Sequence, residues 1–450
     1  MRPSLSFETE GRDSGAAPEA LPSGPGAAAG GWRRAVAEWP RSSAFQTAST
    51  LWFAAFCAGF SLLPGEASQR LLFYGFVPFA LPAVALAAGR VWRSPLAWAI
   101  AAFLVYMAAS ALWSVHWLSV GDAARKSFWI GFFLVLCALR PPDTWRPVVL
   151  ATLLFAAGVA IWSMADFLPT CSEGVRFTGY GQHANSNYTA MVAGMVGLLG
   201  LSATLSARGG PSVVLLAAQA PVSGLLAVTG SRAALYSYLA GLGLSVLLVI
   251  LPGTFRGVGR VVAMLAVCLA VGLFTVQDRC VVHQPGAAQE GGMGWLTAQL
   301  ARGDKFRILI WTENLHRVAQ RPVFGYGVTT PDEVFLDGER VGTHAHDMFL
   351  AQAFYGGVTG LLLWAGVLVL ALRVAWKRWR AGGDTTLVAA LLFLFLVGLV
   401  DVGPVLVDVQ AIWFYVWLPL GIALSCDLAD RNPRRSTPAE APPPGPLPMA

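Results

Sequence analysis

The sequence predicts an all-α, polytopic membrane protein, and three observations carry that prediction. Hydrophobic residues make up 56% of the 450 positions, and mean hydropathy is +0.59. Charged residues make up 12% of the chain, where a soluble globular domain carries about 25%. Apolar runs long enough to cross a hydrocarbon core, which takes about 20 helical residues, recur from residue 44 to residue 426 with short polar breaks between them.

Roughly 12 such runs can be counted. They cover 44–63, 71–89, 95–114, 126–140, 147–167, 187–206, 211–229, 232–252, 259–277, 347–372, 386–403 and 408–426, the fourth being the shortest. The chain therefore divides into an N-terminus (1–43), nine spanning helices (44–277), one segment outside the membrane (278–343), three further spans (344–426) and a tail (427–450). The two ends are rich in Gly, Ala, Pro and Ser and cannot bury enough apolar surface to fold, so both are expected to be disordered. No cleavable signal peptide is expected, because the first apolar run starts late and is long enough to span.

Lys and Arg in short loops stay on the cytoplasmic side during insertion, which sets the orientation. With the N-terminus inside, one side receives Arg90 and Arg93, Arg140 and Arg146, Arg208, Arg256 and Arg260, then Arg373, Lys377, Arg378 and Arg380. The other side receives Glu66, the 168–186 loop, the Thr229-Gly230-Ser231 turn, the 278–343 segment and the 401–407 loop. Its short loops are poor in cations apart from Arg125 and Lys126. Both termini are thus expected in the cytoplasm. The net charge of +6 is scattered over these loops and has the pattern of topology, with no nucleic-acid partner implied.

The outer segment opens with a Gly-rich stretch, Gln284 to Gly294. A helical pattern follows, with Phe306, Ile308, Ile310, Trp311, Leu315 and Val318 closed by Arg321-Pro322, and it predicts an amphipathic helix of about four turns. Four of the six cysteines, Cys57, Cys137, Cys268 and Cys426, fall in apolar runs as small buried hydrophobes. Cys171 and Cys280 fall in outer segments, where either a disulfide between them or two free thiols is open.

Four polar clusters share the outer face. They are Arg176 to Asn187, Thr229 to Arg232, Arg307 with Trp311 and the Arg321–Gly327 turn, and Gly342-Thr343-His344-Ala345-His346-Asp347. Singly, each has a bland reading. Arg232 can snorkel to the interface, the histidines can be a solvated helix start, and the glycines can serve packing or turns. A metal site is not expected, because no Cys, Glu or third His is spaced to complete the His-Ala-His pair. Together they make an anion clamp beside a proton acceptor: guanidinium matches phosphate oxygens bidentately, and imidazole can take a hydroxyl proton.

These residues resemble a known family. Arg176, Gly179, Asn185 and Asn187, then Gly230-Ser231-Arg232-Ala233-Ala234, then Arg307, Trp311, Pro322, Gly325 and Gly327, then His344-Ala345-His346 run in an order similar to the O-antigen ligase and polymerase superfamily. The similarity extends over roughly 40–426 and takes in Ser110 to Ser114. It departs in two places, with Asp347 where the family usually has Asn, and Ser186 between the two asparagines where it usually has Pro.

The resemblance implies a glycosyltransferase of the GT-C type in the bacterial inner membrane, acting at the periplasmic face without a metal or other cofactor. Its donor would be a glycan on an undecaprenyl pyrophosphate carrier, and its acceptor a sugar hydroxyl of lipid A-core, in lipopolysaccharide or surface polysaccharide biosynthesis. Arg176, Arg232 and Arg307 would bind the donor pyrophosphate. His346 would be the general base, with His344 second and Asp347 as the residue that orients them. Direct displacement would invert the anomeric carbon. A sugar pyrophosphate already carries a good leaving group, so such a site has to stabilise departing negative charge and deprotonate an acceptor.

Alternatives within the superfamily are an O-antigen or exopolysaccharide polymerase and a protein O-oligosaccharyltransferase, all sharing the clamp and base. A transporter or flippase is the alternative from another class, for which Asp401 and Asp408 would be the residues to watch. The polar residues cluster at one surface instead of the midplane, which favours the enzyme.

Overall fold

A computed structural model describes residues 39, 42–63, 65–115, 119–167, 169, 177–178, 185–206, 210–250, 305–336, 338–342, 344–382 and 384–431. The expected span 259–277, the first part of the outer segment, both termini, Arg176, Cys171, Cys268 and Cys280 lie outside the described residues.

The chain is helical nearly throughout what is described. In order come α1 (Ser43–Leu62), α2 (Gly65–Val91), α3 (Pro95–Ser110), α4 (Val120–Ala138), α5 (Trp145–Phe167), α6 (Ser186–Ser206), α7 (Gly210–Val228) and α8 (Arg232–Ile250). After the undescribed stretch come α9 (Lys305–Gln320), a small antiparallel hairpin of β1 (Val334–Leu336) and β2 (Glu339–Gly342), α10 (Met348–Gly382), α11 (Thr386–Gly398), a π-helical turn (Trp413–Trp417) and α12 (Leu418–Asp430). The stretches Gly65–Val91, Pro95–Trp113, Pro142–Phe167, Arg232–Val249 and Met348–Gly382 are the five described helical segments long and apolar enough to cross a membrane. The molecule is an all-α, multi-pass membrane protein.

Local sequence sets the helix starts. Ser42 Oγ accepts the Phe45 amide at 3.2 Å to cap α1. Ser94 does the same for Ala97 at 3.1 Å, with Pro95 in the first turn of α3 where its missing N–H costs nothing. The Ser94 hydroxyl also donates to Asp427 at 2.6 Å and so ties the start of α3 to the end of α12. Side packing is aromatic on one flank, where Phe53, Phe56, Phe73 and Phe133 mesh with Trp413 of the π turn. On the other flank, α6, α7, α8 and α11 approach closely, with Gly194 under the Phe393 ring and Gly241 against α11.

The two ends of the bundle differ in charge. Arg90, Arg93, Arg140, Lys377, Arg378 and Arg431 surround one cleft at one end. Arg125 and Lys126, the two cations that stood out among the otherwise cation-poor loops, are neutralised: both meet Asp122 at 2.6 Å, and Arg125 also meets Asp408 at 2.8 Å. Cys57, Cys137 and Cys426 are buried free thiols within the bundle.

The run expected at 347–372 forms a longer helix, α10, which continues to Gly382 and is interrupted at Gly357 (φ 62°, ψ −163°). A strap from Pro322 to Gly327 docks into that interruption. The amides of Tyr326 and Gly327 donate to the carbonyls of Phe354 and Tyr355 at 2.9 and 2.8 Å, and the Val358 amide donates to Pro322 at 2.7 Å. Both backbones must lie in contact here. A Cβ on Gly325 (φ 67°) would stand 2.5 Å from the Gly357 nitrogen and the Phe354 oxygen, so the turn that follows α9 can be held only by glycine.

Candidate active site

The amphipathic pattern from Phe306 to Val318 folds as α9, whose inner face carries Ile310, Asn314 and Trp311. Trp311 Nε1 donates to the Ala345 carbonyl at 3.0 Å. From the other side the Ala345 amide donates to Asp332 Oδ2 at 3.2 Å. Burial holds the Asp332 carboxyl above its usual range, and a hydrogen bond with Tyr355 and the Ala345 amide work against that shift. The backbone between the two histidines is therefore clamped on both sides. His346 adopts φ 50°, a left-handed conformation that a non-glycine residue keeps only when its surroundings impose it.

The clamp presents the two imidazoles as a pair, with ring centroids 4.0 Å apart. His344 lies against Gly403, whose missing side chain leaves room for the ring. Burial, reinforced by the neighbouring His346 and Arg307, pushes His344 down to about 3, so that ring is neutral at any working pH. His346 is more open. Its Nδ1 lies 3.3 Å from Asp401 Oδ1, and Arg307 Nη2 reaches the same carboxylate oxygen at 3.2 Å. Asp401 is only 3% exposed, so this carboxylate is held by a cation and an imidazole inside the protein.

Two tyrosines, Tyr188 at the start of α6 and Tyr415 in the π turn, lie within electrostatic reach of Asp401. Asp401 Oδ2 and the Tyr415 hydroxyl are buried and form no hydrogen bond among the described residues. π turns recur at functional sites because they shift side chains out of the regular helical register. Here the turn follows the loop that carries Asp401.

The sequence-predicted residues fall as follows. His344, His346 and Arg307 come together. Asp347, expected to orient a histidine, has a different engagement: its Oδ1 accepts the Phe349 and Leu350 amides at 2.8 and 2.9 Å and caps α10. The carboxylate that meets His346 is Asp401, from the short loop between the last two apolar runs. Arg232 opens α8 behind the Thr229-Gly230 turn. The Leu248 carbonyl near the other end of α8 accepts Trp379 Nε1 at the far end of α10, and Gly241 packs beside Ala389. The N-terminus of α8, with Arg232, therefore lies on the same side of the bundle as His346. Missed altogether in the sequence were Tyr188, Tyr415, Asp332 and Gly403. A charged residue between two apolar runs, as Asp401 is, was the one available signal.

A bundle of apolar helices with a histidine, carboxylate and arginine cluster at one end defines a multi-pass membrane protein with a polar site at that end. Residues 213–365 match the O-antigen ligase family, a stretch that holds α8, α9 and the histidine pair. The chain is also similar to the O-antigen ligase of Pseudomonas aeruginosa, 28% identical over 331 residues that cover 73% of this chain and 77% of that protein. Both matches point to the O-antigen ligase family, and the family resemblance read from the order of the motifs is borne out.

Proposed function

We propose that the protein is a glycosyltransferase of the O-antigen ligase type, acting in polysaccharide biosynthesis at the periplasmic face of the inner membrane. In this reading about 12 spans surround the site. The observation that carries it is the contact of His346 with buried Asp401. With Nδ1–H donated to the carboxylate, Nε2 keeps its lone pair, and the carboxylate stabilises the imidazolium that forms when a proton is taken.

The donor is a glycan on undecaprenyl pyrophosphate and the acceptor a sugar hydroxyl of lipid A-core. His346 Nε2 removes the hydroxyl proton as the acceptor oxygen attacks the anomeric carbon. The bond from that carbon to the pyrophosphate oxygen breaks, and the electron pair leaves with the pyrophosphate. Arg176 and Arg232 hold the departing charge. Arg307, the third residue assigned to the pyrophosphate, is positioned by Asp401. Attack opposite the leaving group inverts the configuration, and no metal is required, because guanidinium groups supply the charge stabilisation. His344, kept neutral, packs the base in place and excludes water, and Asp347 fixes the start of α10 and thereby the loop. The involvement of Asp401 with Arg307 and His346, and of Asp408 with Arg125, speaks for a fixed interfacial site over a transport pathway.

A polymerase of the same superfamily would use the same clamp and base. Purified protein offered a lipid-linked glycan together with either lipid A-core or a second lipid-linked glycan distinguishes them. Product with lipid A-core supports the ligase reading, and product with the lipid-linked glycan alone overturns it.

A further inference from the structure

The end of the bundle opposite His346 encloses a cleft of about 960 Å³. Arg378 on its wall lies 30 residues along α10 from Met348, roughly 45 Å at about 1.5 Å per residue. Six cations line it: Arg90, Arg93, Arg140, Lys377, Arg378 and Arg431. Asp143 and Asp430 are the carboxylates among its lining residues. Arg378 stands 3.9 Å from Asp430, too far for a strong pair, and Arg431 is engaged by Asp427 at 3.2 Å. Arg93 and Lys377 are exposed and form no ion pair among the described residues.

Arg140 is the second observation. It is 1% exposed, yet its guanidinium meets neutral groups: Ser49 at 2.9 Å, Thr50 at 3.0 Å and the Thr144 carbonyl at 2.6 Å. The Phe53 and Trp145 rings lie 5.3 and 5.2 Å from its central carbon. Its Nε is buried without a hydrogen-bond partner among the described residues. A buried cation with no carboxylate beside it calls for an anion nearby.

The depth of the cleft is marked by tryptophan. Trp92, Trp98 and Trp376 are exposed by 46%, 59% and 44%, with the Trp92 and Trp98 rings tilted against each other at 4.8 Å and those of Trp376 and Trp379 at 4.6 Å. Exposed indoles beside cations are the signature of the headgroup level of a bilayer. Basic pockets between helices at that level take phosphate-bearing headgroups.

We propose that this cleft binds the phosphate of an anionic membrane lipid, with Arg93 and Lys377 at its mouth and Arg140 at its base. The site is separate from the transfer site and takes a lipid that is not consumed. A free phosphate ion would satisfy the same cations, but it lacks the acyl chains that hold a headgroup at the tryptophan level.

The test uses the full-length chain purified in a neutral detergent, with the thermal unfolding midpoint followed as phosphatidylglycerol, phosphatidylcholine or inorganic phosphate is added. Phosphatidylglycerol raises the midpoint at low mole fraction, and the other two do not. The double variant Arg93→Ala/Lys377→Ala needs about 30-fold more phosphatidylglycerol for the same rise, from about fivefold per lost cation. A control, Arg321→Ala/Arg340→Ala, with two exposed cations removed at the other end, keeps the wild-type response. Equal stabilisation by phosphatidylcholine, or an unshifted response in the Arg93→Ala/Lys377→Ala variant, overturns the proposal. Equal stabilisation by inorganic phosphate overturns the lipid assignment.

Discussion

His346 Nδ1 lies 3.3 Å from Asp401 Oδ1 across 55 residues of sequence, and Arg307 shares that oxygen at 3.2 Å. A carboxylate held in this way fixes the imidazole tautomer and stabilises its protonated form. Asp401→Asn keeps the shape but removes the charge. Single-turnover transfer is expected to slow on the order of 10²-fold or more, with apparent donor affinity nearly unchanged. An equal rate in the Asn variant would show that the carboxylate has no part in the proton transfer.

Arg307 and Asp401 form a partly buried pair, so removing one partner strands the other. Arg307→Ala is expected to lower the unfolding midpoint because the charge of Asp401 is left with the imidazole alone. Combining it with Asp401→Asn should restore part of the loss. A double-mutant cycle on unfolding midpoints in detergent reads this coupling, expected at about 0.5–3 kcal/mol, and strictly additive losses would exclude it.

Stability should depend on pH through His344. Its folded value of about 3 lies below the ordinary 6.5, so between those limits the unfolded chain binds the additional proton and the folded chain does not. Stability from this residue is fully present above about pH 6.5 and falls as the pH drops toward 3. Asp332, whose carboxyl is shifted upward, contributes with the opposite sign, so the comparison needs a variant at the histidine alone. His344→Gln should flatten the loss of unfolding midpoint between pH 7 and pH 4.5, and a parallel slope in wild type and variant would remove His344 from the account.

The strap from Pro322 to Gly327 holds α9 against the interruption in α10, and Gly325 is its tightest point. Gly325→Ala introduces both a left-handed alanine, at about 1–2 kcal/mol, and a backbone collision. The variant should unfold at a lower temperature and lose transfer together with it, because α9 carries Arg307 and Trp311. Wild-type stability in Gly325→Ala would mean that the strap moves aside without consequence.

Much of the bundle was legible from length and hydropathy alone, because a membrane demands continuous apolar helices and charges at their ends. α9 was legible because its apolar positions repeat on one face. The histidines and Arg307 were legible because polar groups at a membrane surface are few. Asp347 adjoins His346 in sequence, but what the sequence does not show is that at a helix start its Oδ1 is taken by the Phe349 and Leu350 amides. Asp401 was hidden for the converse reason. A carboxylate in a short loop reads as solvated until the fold brings Arg307 and His346 to it from elements far away in sequence. The docking of Gly325 on Gly357 was also beyond reach, since it depends on two backbones meeting and leaves no periodicity.

The central claim is that His346 takes the proton of the acceptor hydroxyl. The most direct measurement is the single-turnover rate of glycan transfer by His346→Ala, purified and reconstituted with donor and acceptor, alongside its unfolding midpoint. A fall of about 10²–10⁴-fold at an unchanged midpoint is the predicted result. Transfer at the wild-type rate by a correctly inserted His346→Ala protein would contradict the account.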